Sequence, residues 1–516
     1  MASQGKGEGT GLRPAVREGG WLRRRTGDAA AVVFLLALAL AVRAHALTTA
    51  GLYRDDAWPM LATRTDLGRA VRIGVTIPGF ELFVRAWGGL SSSTPWVQAP
   101  TLLASLGGVA LVYLLARHLG CGPSGALAAG GILALAPVAV LFATRVKPYA
   151  FDALSCLLLL SLAVRLAERP SNRRWAALVA TAVAAPVVSA SVLPVALTAV
   201  TWCAWRTWRD PEATVAARRA GLAIVVGYTA LVALYALLVL GNVPPPLHDS
   251  WASHYVDGLA SARFVVDELA AGIFYRHGPT GPLLLAAVCA GVVWARSDLA
   301  PLLLGPIALA FGVAVFDRAP FGGGRTDVYL FPCVALAVAL TFDKALARRV
   351  PALAVGAALV LVAATISVDH ATQNPYPGAD TAELIAAVRS QMAPGDALVV
   401  APFTRYAFAL YDRPRPDVIL SPRYSTGFTV VSSDQDVLIL PAEYYETGYD
   451  ASAAVAFARD RRRVWYLTTD TPRSDTPPEV QAHEYEPARL LAADGFVLER
   501  RIDVAGAHAE LLVRPG

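Results

Sequence analysis

Long apolar stretches separated by short polar connections dominate the first 370 residues of the chain. The first stretch runs from about Asp28 to Leu47, long enough for a helix to cross a bilayer, and no small-residue cleavage site ends it. Ten more stretches follow at about 97–116, 123–143, 149–166, 174–189, 191–205, 219–240, 281–295, 300–316, 327–342 and 350–367. The pattern predicts an α-helical polytopic membrane protein with about eleven transmembrane helices, in a membrane domain covering 28–370.

The first external loop, 48–95, ends in a shorter apolar piece. The segment from Ile77 to Trp87 is too short to span the bilayer, and Glu81 and Arg85 are spaced i,i+4 within it. We expect this segment to form a helix in the membrane interface, with Glu81 and Arg85 paired on one face.

The charges in the connections indicate an orientation. Basic residues occupy alternate connections, which the positive-inside rule places in the cytoplasm. They are Arg117, His118, Arg165, Arg169, Arg173, Arg174, Arg206, Arg209, Arg218, Arg219, Arg296, Lys344, Arg348 and Arg349. Eleven spans then leave the N-terminus, a disordered basic tail over 1–27, in the cytoplasm, and the C-terminal region outside.

Polar residues and prolines return over 374–516, which predicts a small extracytoplasmic α/β domain. Its predicted helices lie at 381–392, with Asp380 as the cap, and at 486–493. Its predicted strands are 397–400, 436–440, 463–467 and a final pair within 496–513. The domain has no Gly-rich phosphate loop, so we expect no nucleotide site in it.

Composition agrees with a membrane protein: 55% of the residues are hydrophobic and only 16% are charged. The net charge of +5 lies mostly in the short connections, so we interpret it as a topology signal and expect no nucleic-acid partner. The five cysteines form no CxxC or Cys/His cluster, which argues against a disulfide framework and against a zinc site.

Two adjacent carboxylates, Asp55 and Asp56, follow the first span. A carboxylate close to a hydroxyl can take its proton while that oxygen attacks a sugar carbon. Repulsion between neighbouring carboxylates raises the pKa of one of them and would assist such a base. The alternative interpretation is a solvated acidic turn that caps a short helix.

Two basic patches also fall on the predicted external face. The first holds Arg145, Lys147 and Tyr149, whose charges and hydroxyl suit a phosphate group, although interface anchoring is the alternative. The second follows a run of three glycines and holds Arg325 and Tyr329, which would share a face if this segment were an α-helix. A flexible turn is the alternative there.

The loop 241–280 carries several histidines and acids. His248 and His254 lie six residues apart without an obvious third ligand, so a divalent metal is open but unsupported. We expect no cofactor and no metal site, and interpret the loop as an acceptor-side loop or a lid.

The order of these elements resembles the GT-C superfamily of polyprenyl-phosphate-dependent glycosyltransferases. The bacterial relatives of protein O-mannosyltransferase (glycosyltransferase family 39-like) and the aminoarabinose transferase are the most similar groups. The family's Asp-Glu-Ala appears as Asp55-Asp56-Ala57, and its Glu-Ala-Arg-Pro-Tyr as Arg145-Val146-Lys147-Pro148-Tyr149. Its His-Pro-Pro appears as Thr76-Ile77-Pro78. Lys147 thus replaces the family arginine, and the family histidine is missing.

The resemblance implies an inverting transfer from a polyprenyl-phosphate sugar in a bacterial cytoplasmic membrane. Asp55, assisted by Asp56, would be the catalytic base, and Arg145, Lys147, Tyr149, Arg325 and Tyr329 would hold the lipid phosphate. The acceptor, whether glycan, lipid or protein, stays open. A transporter or flippase is the main alternative. A non-catalytic assembly protein, the third possibility, predicts that the Asp55 and Lys147 regions face apart.

Overall fold

The computed structural model describes residues 21–44, 51–52, 54–73, 77–238, 244–274, 279–322, 324–348, 379–421, 423–424, 426–441, 450–470 and 478–515. The predicted last span, 350–367, and most of the predicted N-terminal tail lie outside these ranges.

The described chain up to residue 348 is mainly helical. Its α-helices are α1 (Trp21–Ala44), α2 (Arg54–Met60), α3 (Leu67–Ile73), α4 (Pro78–Gly88), α5 (Thr94–His118), α6 (Pro123–Leu135), α7 (Pro137–Leu141), α8 (Tyr149–Glu168), α9 (Asn172–Val188), α10 (Leu193–Arg209), α11 (Val215–Leu238), α12 (Pro245–Ser250), α13 (Leu259–Phe274), α14 (Thr280–Arg296), α15 (Ala300–Val315) and α16 (Phe331–Ala347). Short 3₁₀ helices cover Leu61–Arg64, Ala190–Val192, Ala252–His254 and Arg325–Leu330. The predicted spans up to residue 342 fall on these elements.

Several of these helices have the length and composition of membrane spans. Within the described ranges, five helical segments are long and apolar enough to cross a bilayer: Thr26–Ala44, Thr94–His118, Tyr149–Glu168, Val215–Leu238 and Arg325–Ala347. Shorter apolar helices accompany them at Pro123–Leu135, Thr280–Arg296 and Ala300–Val315. The chain is a multi-pass membrane protein, and the count of eleven spans stays a prediction.

The predicted span 123–143 is divided into two helices. Pro137 has no N–H to donate, so the hydrogen-bond ladder stops and α6 ends at Leu135. The buried guanidinium of Arg43, from α1, donates to the carbonyls of Leu133 (3.2 Å) and Ala134 (2.7 Å) and to the hydroxyl of Ser105 (3.0 Å). An apolar bundle cannot leave such carbonyls unpaired, so Arg43 makes the break tolerable.

The C-terminal region folds as a small α/β domain around a five-stranded sheet. Its elements are α17 (Thr381–Gln391), β1 (Ala397–Val400), α18 (Arg405–Tyr411), β2 (Asp417–Leu420), β3 (Phe428–Val431), β4 (Val437–Ile439), α19 (Ser452–Ala458), β5 (Arg463–Thr469), α20 (Pro478–Ala493), β6 (Val497–Val504) and β7 (Ala507–Val513). The sheet order is β4-β1-β5-β7-β6, with β1 parallel to β4 and β5, and with β7 antiparallel to β5 and β6. Strands β2 and β3 form a separate antiparallel hairpin.

The strands predicted from short apolar runs are present, but the predicted helix cap is wrong. Asp380 occupies the position before α17, yet its side chain makes no capping hydrogen bond. Its carboxylate accepts the backbone N–H of Gly51 at 3.2 Å instead. This partner lies 329 residues earlier in the chain, beyond the reach of a local pattern.

Three apolar cores organise the described residues, and one of them packs α19 and α20 against the outer face of the C-terminal sheet. Two others bear on the position of the predicted acids. One joins the membrane helices to each other. The other combines the segment around α2 to α4 with the inner face of the C-terminal sheet, and includes Ala57, Met60, Val146, Phe408 and Phe428. The acidic helix α2 therefore lies where the membrane domain meets the C-terminal domain.

Candidate active site

The first turn of α2 carries both predicted acids. Negative charge is favourable at this end of a helix, where backbone N–H groups are unpaired. Adjacent residues of an α-helix point about 100° apart, so the two side chains enter different surroundings. Asp56 is buried, whereas the Asp55 side chain keeps 26% of its surface exposed.

Asp56 ties α2 to the chain that enters α8. Its carboxylate pairs with the Nε of Arg145 at 2.7 Å and accepts the N–H of Val146 at 2.8 Å. Burial raises the pKa of Asp56, while the charge of Arg145 opposes that rise. The repulsion by Asp55, predicted as the cause of the raised pKa, is the smallest of the contributions.

The ammonium of Lys147 lies close enough to Asp55 and Asp56 to interact with their charges. Its Nζ lies 3.9 Å from the centre of the Trp58 ring. Within the described part of the chain, this ammonium makes no hydrogen bond and no ion pair. Burial lowers the pKa of Lys147 to about 8, with the negative charge of Asp55 opposing, so the group is mostly protonated at pH 7.

Arg325 also lies beside Asp55, although it is far from Asp55 in the sequence. Its guanidinium pairs with the Asp55 carboxylate at 3.4 Å and lies 4.9 Å from the centre of the Trp251 ring. The 3₁₀ helix Arg325–Leu330 brings it there after a left-handed glycine, Gly324, with φ of 62°. The fold thus joins residues 270 positions apart.

The two predicted tyrosines lie in different surroundings. Tyr149 begins α8 and interacts electrostatically with Asp55 and Arg325. Tyr329 is buried in the helical core. The prediction that Arg325 and Tyr329 share a face is wrong, because three residues per turn in a 3₁₀ helix turn residues four apart away from each other. The roles of both tyrosines stay predictions.

Glu81 is a site-adjacent acid that the sequence interpretation missed. The predicted pair with Arg85 is wrong, since Arg85 donates to the carbonyls of Ala62 (2.7 Å) and Thr65 instead. Glu81 is fully buried, and neither of its carboxylate oxygens has a hydrogen-bond partner in the described structure. Burial raises its pKa to about 8, with the charge of Lys147 opposing. The only sequence signal was an acid within an apolar segment.

The histidines of the loop after α11 are not gathered into a metal site. His248 lies 3.2 Å from Asp317 and stacks on Tyr255, while His254 packs against Trp251. The described ranges contain no group of three His, Cys, Asp or Glu side chains that could hold a metal ion. That the protein needs no metal stays a prediction.

Together these side chains pair a partly exposed carboxylate with one cation and bring it within reach of the charge of a second. Such a group can accept a proton, while the cations can stabilise negative charge that develops nearby. Indole rings lie against both cations, which favours their positive charge.

Comparison with known proteins identifies the fold. The structure resembles that of ArnT from Cupriavidus metallidurans bound to undecaprenyl phosphate, with a TM-score of 0.54 and 15% identity, over 96% of this chain and 98% of that chain. The apo state of the same ArnT gives a TM-score of 0.52 and 15% identity, over 93% and 97%. No protein-family model and no curated protein matches the sequence. The chain therefore has the fold of this ArnT, as the resemblance drawn from the sequence implies.

Proposed function

We propose that this chain is a membrane glycosyltransferase. It moves a sugar from a polyprenyl phosphate to an acceptor hydroxyl at the external face of the bacterial cytoplasmic membrane. The observation that carries the proposal is that Asp55 pairs with Arg325 at 3.4 Å and lies close enough to Lys147 for their charges to interact. The fold shared with an ArnT that binds undecaprenyl phosphate supports the donor class.

Lys147 and Arg325 are the proposed ligands of the lipid phosphate. An ammonium has three N–H donors, and those of Lys147 find no acceptor among the described residues. A phosphate oxygen would supply one, in a charge-assisted hydrogen bond. Arg145 pairs with Asp56 and adds positive charge next to the proposed phosphate ligands. Tyr149, at the start of α8, supplies a hydroxyl on the same side.

Asp55 is the proposed base. The acceptor oxygen attacks the anomeric carbon of the donor sugar while the bond from that carbon to the phosphate oxygen breaks. The hydroxyl proton passes to the Asp55 carboxylate, and the polyprenyl phosphate leaves with the bonding electron pair. One displacement of this kind inverts the anomeric configuration, and the two cations stabilise the charge on the leaving phosphate.

The loop that follows α11 is the proposed acceptor side. Its Trp251 covers the guanidinium that pairs with Asp55. An acceptor that reaches Asp55 from this side would pass Trp251 and His254. The flat faces of these rings suit the apolar face of a sugar.

The site and the C-terminal domain share one apolar core, so they lie on the same side of the membrane. The basic connections favour the external side for both, with the N-terminus in the cytoplasm. The assembly-protein alternative requires the Asp55 and Lys147 regions to face apart, whereas their neighbours Asp56 and Arg145 pair at 2.7 Å. A transporter would also bind a lipid phosphate, so only a transfer assay separates it from the proposed enzyme.

The test is transfer by the purified protein in liposomes. Undecaprenyl-phosphate-linked pentoses and hexoses serve as donors, and release of undecaprenyl phosphate is the readout. Asp55→Asn should abolish release while leaving binding of undecaprenyl phosphate and the melting temperature unchanged. Asp66→Asn, which alters an exposed acid near α3, is the matched control and should retain full activity. Retained transfer in Asp55→Asn would refute the assignment of the base.

A further inference from the structure

The acidic helix α2 is too short to be stable by itself. It has seven residues, including Pro59, whereas isolated helices shorter than about 12–15 residues are marginal in water. Contacts from elsewhere must therefore determine where Asp55 lies. Much of that contact comes from the C-terminal domain, because α18 packs directly against α2.

Two hydrogen bonds hold the chain where it enters α2. The N–H of Leu52 donates to the hydroxyl of Tyr411, the last residue of α18, at 2.8 Å. The same hydroxyl bonds the side chain of Thr94, at the start of α5. The N–H of Gly51 donates to Asp380, and a Cβ at Gly51 would lie 2.7 Å from the carbonyl oxygen of Ala379. The backbones of the two domains thus approach as closely as a glycine allows.

A second set of contacts reaches the far side of α2. The ring of Phe428, in β3, lies 6.4 Å from the ring of Trp58, centre to centre. The ring of Trp58 lies against the ammonium of Lys147, and the indole N–H of Trp58 donates to the carbonyl of Ile73 at 2.9 Å. Arg64, just beyond α2, donates to the carbonyl of Leu410 at 3.4 Å. Moving the C-terminal hairpin would therefore move Trp58 and, with it, Lys147.

We propose that the C-terminal domain is a positioning element of the transfer site, in which Tyr411 sets the start of the acidic helix and Phe428 holds the indole behind Lys147. Neither residue touches the reacting atoms, and both act through α2. The effect on transfer depends on the proposed function, while the effect on the position of α2 does not. A displacement of 1 Å in an active site can lower a rate by about a hundredfold, so such a role has a measurable consequence.

Hydrogen–deuterium exchange of the full-length protein tests the mechanical part. Tyr411→Phe removes one hydroxyl and keeps the ring, and we expect exchange over residues 51–60 to rise by about tenfold or more. Tyr228→Phe is the matched control, because that hydroxyl makes one buried hydrogen bond, to Ala182 at 2.7 Å within the membrane helices. It should leave 51–60 unchanged. Gly51→Ala tests the close approach without altering the C-terminal domain and should also raise exchange there.

Kinetics test the catalytic part with any donor that the wild-type protein uses. Tyr411→Phe should lower kcat by about tenfold with little change in the donor KM, because it displaces Asp55. Phe428→Leu should raise the donor KM by about tenfold, because it loosens the support of Lys147. A merely structural domain would lower the melting temperature without this division between kcat and KM.

Unchanged exchange over 51–60 in both Tyr411→Phe and Gly51→Ala would overturn the proposal, whatever the activity. Wild-type kcat and KM in Tyr411→Phe and Phe428→Leu would overturn it as well. If the wild-type protein transferred no sugar at all, the proposed function would fail, and the exchange measurement would still decide the positioning role.

Discussion

Asp55 and Asp56 are neighbours with the same side chain, yet the structure gives them opposite surroundings. Asp56 keeps 6% of its side-chain surface exposed and pairs with Arg145 at 2.7 Å. Asp55 keeps 26% exposed and pairs with Arg325 at the longer distance of 3.4 Å. One carboxylate is buried in an ion pair that holds two segments together, and the other stays partly exposed.

This difference indicates that the two neighbouring acids have different roles, one structural and one chemical. A buried ion pair is costly to break, so Asp56 and Arg145 fix the geometry of the site. A carboxylate that keeps contact with solvent can exchange protons with a bound hydroxyl, as a base must. We therefore propose that Asp56 assists Asp55 by fixing its position, because the Asp56 carboxylate is already paired with Arg145.

The largest expected effect comes from comparing Asp55→Asn with Asp56→Asn. The loss of a general base should lower kcat by about a thousandfold in Asp55→Asn, at an unchanged melting temperature. Asp56→Asn should lower the melting temperature and reduce kcat far less, when assayed below its unfolding range. Equal losses of kcat in two folded variants would show that the carboxylates act as one unit.

The next effect concerns the buried pair. Arg145→Met leaves Asp56 buried without a counter-charge and should destabilise the protein by about 3 kcal/mol. The double variant Asp56→Asn with Arg145→Met removes both charges and should recover part of that loss. Thermal unfolding in detergent micelles measures both. A double variant less stable than Arg145→Met would contradict the pairing.

The lowered pKa of Lys147 predicts that binding of the donor depends on pH. Its pKa is lowered to about 8, so raising the pH through 8 removes the charge that would bind the lipid phosphate. Above pH 8 the donor KM should rise by about tenfold per pH unit. Lys147→Arg should remove this rise, since a guanidinium stays protonated.

Four titratable groups act on Lys147, namely Asp55, Asp56, Glu81 and Arg325, so the profile is measured in variants that keep all four. Lys344→Arg is the matched control, because Lys344 bonds the carbonyl of Trp294, away from the site. A flat KM in the wild-type protein between pH 7 and 9 would contradict the proposed phosphate role.

The smallest effect is expected at Glu81. With its pKa raised to about 8, this acid is mostly neutral at pH 7, and Glu81→Gln keeps its size and its neutrality. We expect kcat/KM at pH 7 to change by no more than about threefold. Above pH 8 the variant should lose activity earlier than the wild type, because an ionised Glu81 would help keep Lys147 charged. A large loss at pH 7 would mean that Glu81 works as a carboxylate.

Much of the architecture could be predicted because it depends on local pattern. Long apolar runs place the membrane helices, and short apolar runs between turn signals place the strands β1, β4 and β5. The hairpin of β2 and β3 escaped prediction, since its strands have four residues each and β2 buries only Val418. The division at Pro137 was missed because Arg43, which makes it tolerable, lies in another helix.

The site was predictable as a set of residues and not as a set of contacts. The acids and cations are visible in the sequence, but their pairing depends on long-range folding, as with Asp55 and Arg325. Two expectations that rested on ideal α-helical spacing were wrong. Arg325 and Tyr329 do not share a face because they lie in a 3₁₀ helix, and Glu81 is buried instead of paired with Arg85. The support that Tyr411 supplies from the C-terminal domain left no local signal at all.

The presence of a lysine rather than an arginine at position 147 has a chemical consequence. The chain contains only three lysines, Lys6, Lys147 and Lys344. An amine with a lowered pKa is nucleophilic at mildly alkaline pH, whereas a guanidinium is not. A small acylating reagent that reaches this buried amine would therefore label it at mildly alkaline pH, and undecaprenyl phosphate would protect it. This lysine makes the site open to covalent footprinting, which an arginine would have prevented.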